Sequence, residues 1–126
     1  MLEYSNNESS SFNHNIFGKK LKKCSTNPLT GFFRDGSCSS DHRDKGNHSV
    51  CAIVSDAFLE YTKKLGNDLS TPNHAYNFPG LKHGDQWCLC ATRWLEAYNA
   101  GIKLKVDLNA THKRALEVLS KEQLNF

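Results

Sequence analysis

Three stretches of the chain show a regular pattern of hydrophobic and polar positions. Residues 102–108 alternate apolar with charged side chains, which predicts a strand with one face on the core. Residues 48–54 form a short, mostly apolar run, typical of a buried strand or of the lead-in to a following helix. Residues 56–65 carry apolar side chains at helical spacing, with Ser55 as N-cap and Gly66 as a stop signal. The chain is therefore predicted to combine strands and helices.

The longest helical pattern extends from Asp85 to Gly101 without an internal glycine or proline. At about 100° per residue, its apolar side chains form one wide arc. We therefore predict one amphipathic helix with Asp85 as its N-cap. Within this helix Cys88 and Cys90 lie roughly 200° apart around the axis, which argues against a shared metal ion or a disulfide between them.

Turn-forming residues dominate most of the remaining chain. Residues 16–40 are predicted to be an irregular packed loop, and residues 66–84 a long polar connection that is ordered. Residues 116–119 have the pattern of a second short strand, and Ser120 is a candidate cap for a last helix over residues 121–126. The apolar anchors predicted for the long connection are Leu69, Tyr76, Phe78 and Leu81.

The first fifteen residues contain few apolar side chains. Such a segment cannot bury enough surface to offset its ordering entropy, so we predict a disordered polar tail over residues 1–15. The rest is long enough for one domain and one modest core. The prediction for residues 16–126 is a single small α+β domain with a short β-sheet, two main amphipathic helices and long ordered loops.

Charge and hydropathy exclude some classes of partner. The net charge is +3, and the densest basic run, KKLKK at residues 19–23, is typical of a solvated surface loop. This mildly basic balance makes nucleic acid an unlikely partner. The sequence shows no secretory signal, and no apolar run approaches the ~20 residues of a bilayer span. We therefore expect a soluble cytoplasmic protein without a membrane partner.

The chain contains five cysteines, an odd number. In a reducing compartment the default interpretation is free, buried thiols rather than a disulfide framework. Cys88 would lie in the first turn of the predicted long helix, where backbone N–H groups favour a thiolate. If any cysteine of the closely spaced pair is reactive, this pattern favours Cys88 over Cys90.

Several polar residues are further candidates for a site. The spacing of His48 and Cys51 allows a thiol–imidazole pair, although a core cysteine with a surface histidine is the simpler interpretation. Polar residues after a helix end and in a GFFRDG turn are candidate ligand contacts, or simply turn formers. The catalytic candidates are Cys88, His48, Cys51 and His112; the ligand-binding candidates are Arg34, Asp35, Asn67, Asp68, Ser70 and Thr71.

Metal and cofactor motifs are not evident in the sequence. The cysteine spacings do not match the paired ligands of a zinc site, so no metal ligand is assigned. A scattered site from Cys38, Cys51, His48 and His112 remains an alternative without spacing support. The chain contains no Gly-rich phosphate loop and no Gly-x-Ser-x-Gly motif, and we expect no cofactor.

Five long stretches resemble a known family. They are CSTNPLTGFFRDGSC, HSVCAIVSDAFLEY, GNDLSTP, FPGLKHGDQWCLCATRWLEA and ATHKRALEV, and they span nearly all of the chain from Ile16 onward. These stretches are similar to a small bacterial family known as domain of unknown function 2237. The resemblance implies a stand-alone cytoplasmic α+β domain and transfers no catalytic role. That family typically has a second cysteine just before the position of Cys38, where this chain has Ser37.

Three hypotheses about function follow. The first is a cytoplasmic domain that binds a small molecule or performs thiol-dependent catalysis in a loop-built polar pocket, which the long ordered polar loop favours. The second is a protein-interaction module whose cysteines are purely structural, with an exposed apolar patch near Phe32, Phe33 or Phe78. The third is a metal-binding protein that uses scattered cysteine and histidine residues.

Overall fold

The computed structural model describes residues 13–125, so residues 1–12 of the tail predicted over residues 1–15 lie outside it, as does Phe126 at the end of the last predicted helix. The described residues form a single small α+β domain, as predicted. Its strands are β1 (Val50–Ile53) and β2 (Gln86–Leu89), and its α-helices are α1 (Asp56–Lys64), α2 (Ala91–Asn99) and α3 (Lys121–Leu124). Single turns of 3₁₀ helix occur at His74–Tyr76, Leu108–Ala110 and Lys113–Glu117.

The two strands pair antiparallel and separate two buried clusters. Val50 lies opposite Leu89, and Cys51 lies opposite Cys88. Side chains that alternate along a strand point to opposite faces. The face of Val50 and Leu89 joins the main hydrophobic core, which includes Trp94. The face of Cys51 and Cys88 joins a second, sulfur-rich cluster completed by Cys24, Cys38 and Ala110.

Helices α1 and α3 form where their capping residues predict them. The Ser55 side chain accepts a hydrogen bond from the Phe58 backbone, and Asp56 adds negative charge to the first turn of α1. Phe58 is fully buried against the core. In α3, Ser120 and Gln123 form a reciprocal capping box. Local capping residues are therefore enough to predict where these two helices begin.

The prediction of one long helix from Asp85 is wrong over about the first third of that helix. Residues 86–89 form β2, and α2 begins only at Ala91, with Cys90 as its N-cap. Both faces of β2 are buried, so Trp87, Cys88 and Leu89 do not alternate with polar residues. A continuous apolar run of this kind fits a helical arc equally well, and pairing with β1 decides its structure.

Two predicted strands are not regular strands. Residues 102–107 form no regular strand and reach β1 at a single bridge, between Val106 and Ala52, and Leu108 begins a 3₁₀ helix. Leu104 is buried there, so the predicted face still points to the core. Residues 116–119 are not a strand, because Lys113–Glu117 forms a 3₁₀ helix.

The long connection after α1 is ordered and held to the core, as predicted. Leu69 and Phe78 pack against the main core, and Leu81 is buried in it. Tyr76 is not an anchor, because it is 76% exposed. Among residues 13–125, no helix has the length and apolar character needed to span a membrane.

Candidate functional site

Four of the five cysteines are joined in two disulfides, Cys24–Cys51 and Cys38–Cys88. The prediction of free thiols is therefore wrong for these four cysteines, which include the two catalytic candidates Cys51 and Cys88. Cys90 is the free cysteine, and it is partly exposed. The partners are 27 and 50 residues apart in sequence, and sheet pairing brings Cys51 beside Cys88. Spacing along the chain could not show this arrangement.

A pocket of about 460 Å³ opens beside the end of β2. It brings together four of the residues predicted from sequence to form a site: Arg34, His48, Asn67 and Cys88. Its remaining lining comes mainly from aromatic and aliphatic side chains of the surrounding loops. The complete lining is Gly31, Phe32, Arg34, His48, Asn67, Leu69, Tyr76, Trp87, Cys88, Leu89 and Cys90. The pocket adds Cys90 to the candidate residues.

His48 is held by a buried carboxylate. Its Nδ1 lies 2.7 Å from Oδ1 of Asp44, and its backbone N–H donates to Oδ2 at 2.8 Å. The Ser40 hydroxyl also donates to Oδ2, at 2.8 Å. Burial alone would raise the pKa of Asp44, but the hydrogen bonds from His48 and Ser40 outweigh it and hold that pKa below its usual value. Asp44 is therefore ionised at neutral pH.

This ionisation fixes the tautomer of His48. An ionised carboxylate can only accept hydrogen bonds, so the proton between Asp44 and His48 belongs to Nδ1. The other ring nitrogen, Nε2, is then the one able to take a proton from a neighbouring group. His48 lines the pocket, and its side chain is 40% exposed. The pair has the arrangement of an oriented general base.

Arg114 fixes the loop that carries Asp44. Its guanidinium donates to the backbone carbonyl oxygens of Asp41 and Asp44, at 2.9 and 2.6 Å. The same nitrogen donates to the Ser40 hydroxyl at 2.9 Å. A residue near the C-terminus therefore positions the carboxylate that in turn positions His48.

Cys90 lies at the junction of β2 and α2. Its Sγ is 3.0 Å from the hydroxyl oxygen of Thr92. The Ala91 N–H donates to the Asn47 carbonyl. The β1–β2 register, continued past Val50 and Leu89, would instead place Ala91 opposite His48, so the pairing shifts by one residue here. This shift places the backbone of Cys90 alongside that of His48. Both residues line the pocket, so a free thiol and an oriented imidazole share one cavity.

Two residues next to the pocket have a left-handed backbone. Asn47 has a φ of 51° and Arg34 a φ of 54°. Asparagine tolerates this region, but arginine rarely adopts it, and such strain concentrates at functional sites. The guanidinium of Arg34 lies over the Trp87 ring at 5.1 Å and donates to the Gly31 carbonyl at 2.6 Å. Arg34 is thus held as a cationic wall of the pocket.

The remaining predicted ligand contacts are structural. The Asp68 carboxylate accepts hydrogen bonds from the backbones of Ser70 and Thr71 and from the Thr71 hydroxyl, which closes a turn. The bonds from Thr71 and Ser70 hold the pKa of Asp68 below its usual value. Asp35 likewise accepts from the Ser37 backbone. These four predicted residues, Asp35, Asp68, Ser70 and Thr71, are absent from the pocket lining.

His112 and Cys51 also lie away from the pocket. His112 is buried, and its Nδ1 accepts a hydrogen bond from the Arg114 backbone, capping the 3₁₀ helix Lys113–Glu117. Cys51 is fully buried and bonded to Cys24. The structure therefore does not bring together the predicted set of His48, Cys51, Cys88 and His112. The residues that sequence reasoning missed are Asp44 and Cys90; an i, i+4 spacing of Asp44 and His48 was the available signal for the first.

Gly31 at the pocket edge permits a close turn. Its φ is 105°, and a Cβ at this position would overlap the carbonyl oxygen of Ser37. We expect Gly31→Ala to lower the free energy of unfolding by about 2 kcal/mol, from backbone strain and overpacking together. Gly66→Ala is the matched control, because its φ of 95° is similar and a Cβ there meets nothing within 4 Å. Urea unfolding measures both; equal losses would contradict the close packing at Gly31.

The chain belongs to the family named domain of unknown function 2237, described as an uncharacterized protein conserved in bacteria. The family model matches residues 14–126, which confirms the resemblance seen in the five sequence motifs. A comparison with curated proteins finds no match. The family description names no activity, so an account of function rests on the geometry of the pocket.

Proposed function

We propose that this protein binds a small anionic molecule and acts on it with the Cys90 thiol, assisted by His48 and Asp44. The observation that carries the proposal is the shared cavity: a free thiol and a histidine oriented by a buried carboxylate line one pocket. A nucleophile, a base and a group that orients the base are the parts of an activated thiol. The sequence-based choice of Cys88 is replaced by Cys90, two residues further on.

The reaction class follows from these groups. His48 Nε2 takes the proton of the Cys90 thiol, and the sulfur then attacks an electrophilic carbon of the bound molecule. A carbon–sulfur bond forms, and the electron pair of the broken bond leaves with the displaced group. The proton on His48 is available to that group as it departs.

The walls of the pocket indicate the class of ligand. Among residues 13–125, the lining contains the cationic Arg34 and the imidazole of His48 but no carboxylate. A lining with a positive charge and no negative charge favours the binding of an anionic ligand. Phe32, which is exposed, offers an aromatic surface to a planar or apolar part of the same molecule. Asn67 adds an amide within the lining.

Alkylation of Cys90 tests the proposal without knowledge of the substrate. The measured quantity is the ratio of the alkylation rate with anionic iodoacetate to the rate with neutral iodoacetamide. We expect this ratio to be higher for the oxidised protein than for free cysteine, because Arg34 attracts the anion. Arg34→Gln is expected to reduce this preference about fivefold, which corresponds to about 1 kcal/mol for a partly solvated charge pair. Arg34→Lys, which keeps the charge, is the matched control.

Mass spectrometry of each reaction locates the alkylated residue. The two disulfides protect the other four cysteines, so a single adduct at Cys90 is expected. A preference unchanged in Arg34→Gln would contradict an anion-binding pocket. Alkylation at the rate of a free peptide cysteine would contradict an activated thiol and favour the interaction-module hypothesis.

The redox state of the cysteines bears on location. Disulfides persist in oxidising compartments and are rare in the cytoplasm, so Cys24–Cys51 and Cys38–Cys88 weigh against the cytoplasmic location expected from sequence. We propose that a cytoplasmic form carries these four residues as thiols. Acid quenching of source cells, followed by alkylation and mass spectrometry, counts the thiols directly. Five modified cysteines would support a cytoplasmic protein, and one would contradict it.

A further inference from the structure

We propose that the four disulfide cysteines form, when reduced, a tetrathiolate site for Zn²⁺. The sulfur atoms of Cys24, Cys38 and Cys88 all lie within 4.8 Å of one another. The fourth sulfur, that of Cys51, is bonded to Cys24. Around a tetrahedral zinc ion with Zn–S bonds of about 2.3 Å, neighbouring sulfurs are roughly 3.8 Å apart. Three of the four sulfurs are thus already gathered close to that spacing, and the fourth adjoins one of them.

The backbone holds these cysteines together independently of the disulfides. Cys51 and Cys88 are direct cross-strand partners, so their side chains share one face of the sheet. The loop that carries the other two cysteines is docked by hydrogen bonds. The Cys88 N–H donates to the Thr30 hydroxyl at 2.9 Å, and the Gln86 amide donates to the Cys24 carbonyl at 3.0 Å. Reduction therefore leaves the four thiols facing one another.

The surroundings of the cluster suit a metal thiolate. All four cysteines are buried, with at most 7% exposure. The Gln86 side-chain nitrogen lies 3.3 Å from Cys51 Sγ and donates to the sulfur. Hydrogen bonds of this kind orient ligands and tune a metal site. The same amide bonds to Cys24, so one side chain supports two of the four ligands.

The conversion between the two states balances as follows. Two molecules of a dithiol reductant supply four electrons and four protons, which open both disulfides and leave four thiols and two oxidised dithiols. One Zn²⁺ then displaces the four thiol protons and forms four Zn–S bonds. Two molecules of an oxidised dithiol accept four electrons from the thiolates and four protons from solvent, which re-forms the two disulfides and releases the ion. Cys90 and His48 are not ligands of this site. An experiment that contradicts zinc binding would therefore leave the proposed reaction at Cys90 untouched, and the reverse also holds.

The experiment is cobalt and zinc binding to the reduced full-length chain. Protein treated with a phosphine reductant under anaerobic conditions is titrated with Co²⁺, then with Zn²⁺. We expect one ion per chain by native mass spectrometry. The cobalt form should show the intense visible bands of a tetrahedral thiolate site, and zinc should remove them. Oxidised protein should bind neither ion.

Single serine variants assign the ligands. Loss of a hydrogen-bond partner of a metal ligand typically weakens metal binding roughly 10–100-fold. Cys38→Ser and Cys88→Ser remove a ligand itself, so we expect them to weaken Zn²⁺ binding by more than this. Gln86→Leu should fall within that range, and Cys90→Ser should leave affinity unchanged. All proteins are compared in the reduced state, so the loss of a disulfide does not enter the comparison.

Three results would overturn the proposal. The first is a reduced chain that binds no Co²⁺ and shows no ion-dependent recovery of tryptophan near-UV dichroism. The second is binding that survives Cys38→Ser and Cys88→Ser. The third is binding that requires Cys90. The reduced chain could lose its tertiary packing when no metal is bound. Near-UV circular dichroism then still tests the proposal, because zinc binding should restore the signal of Trp87 and Trp94.

Discussion

Replacement of Cys38 and Cys88 together by alanine is expected to lower the free energy of unfolding of the oxidised protein by about 4 kcal/mol. The disulfide closes a loop of 50 residues, and the loop-closure entropy that it removes from the unfolded chain has this magnitude. The double substitution leaves neither partner of this disulfide behind as an unpaired thiol. Urea unfolding without reductant, followed by tryptophan fluorescence, gives the change.

Cys90→Ala is the control for this loss. Cys90 is partly exposed and makes no disulfide, so its removal should change stability by no more than about 0.5 kcal/mol. In a reducing buffer, the free energies of unfolding of the wild type and of the double variant should become nearly equal. A loss below about 1 kcal/mol in the oxidised state would show that the bond does not constrain the unfolded chain.

The sequence predicts those parts of the fold whose signals are local. Ser55 and Ser120 mark their helices by capping, which needs only the next three or four residues. By contrast, β2 depends on pairing with β1, more than thirty residues earlier. Because both of its faces are buried, the segment lacks the alternation that would distinguish it from a helix.

That misplaced helix start also decided the choice of cysteine. With Asp85 as N-cap, Cys88 falls in the first turn; in the structure Cys90 is the N-cap and Cys88 lies in a strand, bonded to Cys38. The candidates Arg34, His48 and Asn67 lie in the pocket lining, and charged or amide side chains in loops are a local signal of such positions. The sulfur cluster depends on contacts distant in sequence, which spacing does not encode.

Asp44→Asn is expected to slow the alkylation of Cys90 roughly 100-fold at neutral pH, the lower part of the range for general-base assistance. An asparagine amide can donate to Nδ1 of His48 and so favour the tautomer with its proton on Nε2. That tautomer cannot accept the thiol proton. The substitution should also lower the free energy of unfolding by about 3 kcal/mol, because it removes a buried, charged acceptor of three hydrogen bonds.

The pH dependence distinguishes a charged Asp44 from a merely well-packed one. The folded-state pKa of Asp44 is lowered, so its contribution to stability is complete above its unfolded pKa of about 3.9 and is lost as pH falls through the folded value. The stability gap between wild type and Asp44→Asn should thus narrow as the pH falls below the unfolded value of about 3.9. Asp41→Asn is the matched control, since its ion pair with Arg43 is exposed and contributes little. A gap that persists unchanged into acid would mean that Asp44 acts by shape rather than charge, and His48 would then lack the fixed tautomer on which the Cys90 reaction depends.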